Sequence, residues 1–180
     1  MDKQNLLLLA EYNIWATKRL AQALSKLSFS ELTKDVGLHF KSILGTLNHL
    51  LVGEHYLWYP RFKDGISHAY ALDCVIEANA EECIQQLIDR SYLWVEFIHE
   101  LTDRQILGVL NYTRSNGEFL SLPFAPTLMH VFNHGTHHRG QITAAITSLG
   151  YMCPELDLVY MLIEQSQKQS VTQPTKKMND

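Results

Sequence analysis

The sequence predicts an all-α protein: a four-helix bundle with a small β-hairpin before the fourth long helix and a short helix at the C-terminal end. Three observations carry this prediction. Four separated stretches of helical length repeat their apolar residues with the 3.6-residue period of an amphipathic helix. A Ser-Asn-Gly turn lies between two runs of strand-forming residues. With 180 residues, no internal repeat and no linker, the chain has the size of one domain with a sizeable core.

The first helix is expected from about Asp2 to Leu27, because Leu6, Leu9, Asn13, Ala16, Leu20 and Leu24 recur at steps of three and four. Ser28-Phe29-Ser30-Glu31 follows as a turn, with Ser30 placed to cap a short helical turn through Glu31 and Leu32. The second helix is expected from about Ser42 to Phe62, with Leu44, Leu47, Leu51, Trp58 and Phe62 close to one stripe. Pro60 should kink or end it, and Asp64-Gly65 closes it. After a connection with few signals, the third helix runs from near Glu77 to near Thr102, with Ile84, Leu87, Ile88, Tyr92, Val95, Ile98 and Leu101 in phase. Between Ile106 and Phe124 the residues Leu107, Val109, Tyr112 and Thr113 suit a strand. Ser115-Asn116-Gly117 suits a tight turn, and Phe119 to Leu122 suits the returning strand. The fourth helix starts after Pro126-Thr127 and ends at Leu149, with Gly150 as its stop signal. Pro154-Glu155 opens a short last helix to about Gln165. The expected organisation is a bundle domain over 1–165 and a disordered polar tail over 166–180.

Composition excludes several classes of function. The net charge is −4, from 15 lysines and arginines against 19 acidic residues, and the basic residues do not cluster, which argues against nucleic-acid binding. No stretch has the roughly 18–20 uninterrupted apolar residues of a membrane span. The Leu6–Leu9 run is too short for a signal peptide. Cys74, Cys83 and Cys153 are odd in number, widely spaced and without a CxxC pair, so they are expected as free, mostly buried thiols. A cytoplasmic protein is expected. Trp15, Trp58 and Trp94 fall on three different helices, and with Phe119, Phe124 and Phe132 they are read mainly as core.

Histidine is where the composition departs from the ordinary. There are nine, and four fall between 130 and 138. Imidazole is a ligand for zinc, nickel, copper and iron, so crowding of imidazoles on one helix calls for a reason. At about 100° per residue, His134 and His138 differ by only about 40° around the helix axis and can turn to one point. Leu128, Val131, Ile142, Ala145, Ile146 and Leu149 mark the core-facing side; His138 lies at its edge, His134 slightly further out, and His130 and His137 point progressively away. Gly135 and Gly140 beside them each cost about 1 kcal/mol relative to alanine inside a helix, which makes sense where something must approach closely. Arg139 and Gln141 bring polar groups suited to supporting ligands or to holding a substrate anion. A single divalent metal needs a third ligand from elsewhere. His39, His49, His55, His68 and His99 are candidates, with Glu54 as a carboxylate alternative, and periodicity alone does not choose between His49 and His55 on the second helix.

Three separated signatures resemble the DinB family, the DinB/YfiT-like helical bundles: Tyr12-Asn13-Ile14-Trp15-Ala16-Thr17-Lys18-Arg19-Leu20, Thr46-Leu47-Asn48-His49-Leu50-Leu51, and His130 through Ile142. Pro154-Glu155-Leu156-Asp157-Leu158 is similar to the family's closing segment. The resemblance implies a three-histidine metal site that falls on His49, His134 and His138, with zinc or nickel as the ion; in some relatives a carboxylate stands at the position of His134. It further implies a metal-dependent transferase that uses a low-molecular-weight thiol, such as mycothiol or bacillithiol, against a small electrophilic substrate. Metal-dependent hydrolysis is the alternative, with Glu54, His55 and His137 as options for its base. A stress-associated, non-enzymatic protein with a structural metal is the third reading. A homodimer is among what the resemblance implies.

Overall fold

The computed structural model describes residues 2–114 and 116–172. The Asp2 carboxylate accepts the N–H of Asn5 and so starts helix α1, Lys3–Leu24. Ser28 caps α2 (Phe29–Thr33). Ser30, expected as the cap, is the second residue of the helix instead, because Ser28 and Glu31 satisfy each other's backbone N–H groups in a reciprocal box that Ser30 is out of register to make.

The second long helix is built in three pieces. Ser42 caps α3 (Ile43–Leu50), a π-helical stretch covers Leu51–Trp58, and α4 (Tyr59–Lys63) follows. The N–H of Tyr59 donates to the carbonyl of Glu54, five residues back. Pro60 does not end the helix here. It lacks the N–H that would bond the Tyr56 carbonyl, and its ring crowds that carbonyl; the widened π turn ahead of it absorbs both, and the helix continues to Lys63.

Asn79 caps α5 (Ala80–Glu100) through the N–H groups of Glu81 and Glu82. A one-turn helix α6 (Asp103–Ile106) leads into β1 (Val109–Thr113) and β2 (Phe119–Pro123). The strands pair antiparallel, with Leu110 opposite Leu122 and Tyr112 opposite Leu120. Gly117 has φ +85°, the left-handed conformation that the expected turn needs; Ser115 lies outside the described residues.

Helix α7 (Phe124–Ser148) starts ahead of Pro126 rather than after it. Pro126 falls in the first turn, where its missing N–H would have had no helical partner. The N–H of Phe124 meanwhile donates to Gly108. The last helix, α8 (Leu158–Thr172), opens four residues later than expected, after the segment that is held where the Tyr12 hydroxyl donates to the Leu156 carbonyl. It also runs past Gln165, so 166–172, expected as disordered tail, is helical; the remainder, 173–180, lies outside the described residues. Trp15 and Arg19 of α1 bind Glu164 of α8, and Met161 packs against Tyr12 and Ala16, which fixes this helix to the bundle.

Helices α1, α3–α4, α5 and α7 form the bundle, with α1 against α5 and α7, and α3 against the same two. Its interior has two apolar halves. Trp94, Phe97, Phe124, Leu128 and Phe132 belong to one, and Leu20, Leu47, Leu51, Ile142 and Ile146 to the other. Between these halves along each helix lie buried polar residues: Asn13, Glu54, His55, Ser91 and Arg139. Trp94 is buried as expected, whereas Phe119 projects outward from the hairpin edge. All three cysteines are free, but only Cys83 is buried. Among the described residues no helix is long and apolar enough to cross a membrane.

Candidate metal centre

Helix α7 carries His134 and His138 one turn apart, and the last turn of α3 carries His49 across from them. The Nε2 atoms of His49 and His138 each lie 3.1 Å from Nε2 of His134. Among the described residues this is the one group of three histidine, cysteine or acidic side chains whose ligand atoms lie close enough for one ion, all within 4.8 Å.

The hydrogen bonds around the rings decide where their protons sit. His49 Nδ1 is 2.8 Å from the carbonyl oxygen of Leu72, which can only accept, so Nδ1 carries the hydrogen and Nε2 presents a lone pair. His138 Nδ1 donates in the same way to Oε1 of Gln141 at 2.8 Å. Nδ1 of His134 is buried and has no hydrogen-bond partner. Two lone pairs therefore face the His134 Nε2, which has at most one proton to offer. A neutral trio cannot satisfy this arrangement; a cation can. Nitrogens bound at about 2.0–2.1 Å to one zinc ion lie roughly 3.0–3.4 Å apart, depending on coordination number; the two spacings to His134 fall in that range, and all three ligand atoms lie within 4.8 Å of one another. The donor set fits a divalent metal.

Burial and mutual repulsion keep the cluster uncharged. The His134 pKa is pushed down to about 3, first by burial and then by His138 and His49. Burial also lowers His138, to about 4, against the hydrogen bond it donates to Gln141, which holds it up. His49 is lowered by burial, while the Leu72 carbonyl opposes the shift. Unprotonated rings are the form a metal takes.

The walls come from backbone close approaches that glycine permits. The loop before α3 turns sharply at Lys41 (φ +66°) and lays the Phe40 ring on His49, centroids 3.8 Å apart and planes 16° from parallel. A Cβ on Gly45 would stand 2.2 Å from the Phe40 carbonyl oxygen, so this loop can reach the helix only over a glycine. At Gly53, one turn beyond His49, a Cβ would meet the His134 ring at 3.4 Å, an ordinary van der Waals contact that does not itself require glycine.

The other histidines do not join. His39 packs edge-on to Phe40, His68 to Tyr70 and His130 to Trp58, and all three rings are exposed, as is His99. His137 is exposed and shares the Gln141 side chain with His138, its Nε2 lying 3.2 Å from Nε2 of Gln141. His55 points into the core, where neither ring nitrogen has a hydrogen-bond partner, Nε2 lies 3.7 Å from the Glu54 carboxylate, and burial pushes its pKa down to about 3. Glu54 is also inside, accepting from Nδ2 of Asn13 at 2.8 Å, with Nη1 of Arg139 donating to Oδ1 of the same asparagine. Burial raises the Glu54 pKa against the pull of the Arg139 charge. Gly135 makes room for this network: a Cβ there would be 2.6 Å from Oε1 of Glu54. Gly140, by contrast, faces open space. Arg139 thus serves the interior, not a substrate anion at the centre. The Leu72 carbonyl and Phe40 had no signal in the sequence, since neither a backbone oxygen nor a lone aromatic residue in a loop forms a pattern.

The family model described as the DinB family matches residues 1–173. The chain is 27% identical over 167 residues to "Protein DinB" of Bacillus subtilis (strain 168), covering 89% of this chain and 95% of that protein. It is also similar to the crystal structure of a DinB-like protein from Bacillus cereus ATCC 10987. There the TM-score is 0.54 at 21% identity, over 78% of this chain and 89% of the other, a likeness of fold.

Proposed function

We propose, on the premise that this chain belongs to the DinB family, that His49, His134 and His138 hold one divalent metal ion in a metal-dependent enzyme. Zinc and nickel both suit three imidazoles. The observation that carries this reading is the convergence of three Nε2 atoms, two of them fixed as lone-pair donors by Leu72 and Gln141. No fourth histidine, cysteine or carboxylate joins them among the described residues, and three protein ligands leave a position open, as catalytic rather than structural sites do.

The reaction we favour is transfer of a low-molecular-weight thiol to a small electrophilic substrate. A divalent ion supplies the lowered pKa that a thiol or a water needs to become a nucleophile near neutral pH. The chain's own residues orient the ligands through Leu72 and Gln141 and shield one face of His49 with Phe40. Hydrolysis additionally calls for a base beside the site. Glu54 is engaged with Asn13 inside the core, His55 is buried there, and the Nε2 of His137 is already held by Gln141, which favours transfer over hydrolysis.

The test is metal analysis of untagged protein beside His49→Ala and His138→Ala variants. One equivalent of metal in the wild type and only a small fraction of it in either variant is the expected result. Full metal content in a variant that folds would overturn the ligand assignment. Thiol consumption with electrophilic substrates, absent in both variants, tests the reaction class.

A further inference from the structure

The connection between α4 and α5 meets the metal centre at the Leu72 carbonyl, 2.8 Å from Nδ1 of His49. The residues around it are held mainly at the two ends of the stretch, by the Tyr70 ring edge-on to Tyr56 at 5.5 Å and by Ile76 packed on the core. Tyr70, Leu72 and Val75 are exposed, and the nearest backbone bond inside this stretch is a turn from Cys74 N–H to the Ala71 carbonyl. Four residues beyond Leu72 the same connection is gripped firmly. Asn48, which is 1% exposed, accepts the N–H groups of Ile76 and Glu77 on its Oδ1 at 2.8 and 2.9 Å. Its Nδ2 donates to the Glu77 carbonyl at 2.9 Å and to the Leu44 carbonyl at 3.1 Å. Every hydrogen-bonding site of this amide that counts is used, three of them on the loop and one on its own helix. Asn48 precedes His49 directly, so the clamp and the ligand it serves are mounted on the same turn of α3.

We propose that Asn48 is a positioning residue for the metal centre: by clamping Ile76 and Glu77 it holds the Leu72 carbonyl against Nδ1 of His49, and so fixes the tautomer that turns the Nε2 lone pair toward His134. This rests on the metal reading above for its purpose, though not for its geometry. A free neutral imidazole favours its hydrogen on Nε2, the nitrogen that must be bare to bind a metal. The carbonyl reverses that preference, and the carbonyl stays only where the loop stays. Orienting partners behind a metal ligand are commonly worth about 10–100-fold in affinity.

The experiment uses the full chain in three forms: wild type, Asn48→Ala and Asn48→Asp, the last keeping an oxygen in front of the two loop N–H groups. In metal-free protein, long-range proton–nitrogen correlation spectra, assigned with His49→Gln, report which His49 nitrogen carries the hydrogen. Cobalt(II) titration of the same samples gives the affinity. Wild type should show hydrogen on Nδ1; Asn48→Asp, which keeps the acceptor for the two loop N–H groups but sets an oxygen against the Leu44 and Glu77 carbonyls, should keep that tautomer and lose less affinity than Asn48→Ala. Asn48→Ala should shift hydrogen to Nε2 and bind cobalt roughly 10–100-fold more weakly. An unchanged tautomer and affinity in Asn48→Ala would overturn the proposal. So would an equal loss in Ile98→Ala, a truncation in the other apolar half of the core, since that would mean general loosening. If Asn48→Ala does not fold, Asn48→Asp decides: an Nε2-protonated His49 there, with the loop N–H groups still protected from exchange, refutes the clamp. Should the wild type take up no cobalt, the metal reading fails, and the tautomer measurement still decides the role of Asn48.

Discussion

His55 shows how a single buried side chain writes itself into the pH dependence of the whole protein. In the fold its pKa is pushed down to about 3 by burial and by the nearby Arg90 charge, whereas in the unfolded chain it titrates near the ordinary value of about 6.5. The folded pKa is the depressed one, so the neutral ring's contribution is complete above about pH 6.5 and is lost as pH falls toward 3. His134 and His138 of the metal-free centre act in the same direction. Chemical denaturation of chelated protein should therefore show stability falling from about pH 6.5 downward. His55→Phe should reduce that slope by close to one proton, and an identical slope would contradict the burial assigned to this ring. Behind the ligands, Gln141→Leu removes the acceptor for His138 Nδ1 and should weaken metal binding by about tenfold while leaving the fold intact, as measured by competition with a chelator.

Helix α7 tests the same physics at the level of an element. Its two glycines look alike in sequence and stand in opposite environments. Gly135 faces Glu54, Arg139 and Asn13, all within 3.0 Å of where a Cβ would be, so Gly135→Ala overpacks a satisfied buried network and should destabilise by about 1–3 kcal/mol despite the gain in helix propensity. Gly140 meets nothing within 4 Å, and Gly140→Ala should stabilise by up to about 1 kcal/mol. Thermal or denaturant unfolding of the pair checks both, and the same sign for the two would be the wrong answer. The second long helix carries a comparable lesson. Its apolar stripe and Pro60 were visible, but the π turn over Leu51–Trp58 shifts the phase of everything after Leu50. A fixed helical period could not place His55 relative to His49 for that reason; the ladder changes type between them.

Over the whole molecule, the core does not depend on the metal centre. The two apolar halves meet across a buried polar layer of Asn13, Glu54, Ser91 and Arg139, and the three histidines lie beside that layer at the edge between α3 and α7. Removing metal with a chelator should then lower the unfolding temperature through lost binding free energy, about 3–4 kcal/mol when the metal stands at 100–1,000 times its Kd. Helix content by circular dichroism should stay unchanged. Collapse of the helical signal on chelation would instead indicate a structural metal, and with it the non-enzymatic reading.

What the sequence determined by itself was the class of fold and the pair of inward-turned histidines on one helix. Apolar residues repeating at the helical period must share a face, and His134 and His138, four apart, must share a direction; both follow from the geometry of an isolated helix. His49 was reached only through resemblance to a family. Its place opposite that pair is a fact of how α3 packs on α7. The tertiary structure alone decided the rest: that the Leu72 carbonyl supports His49, that Phe40 covers it, and that Glu54 and Arg139 turn into the core rather than toward the centre. Each is a contact between residues far apart in the chain, set by which surfaces meet when the bundle closes, and no local period encodes it.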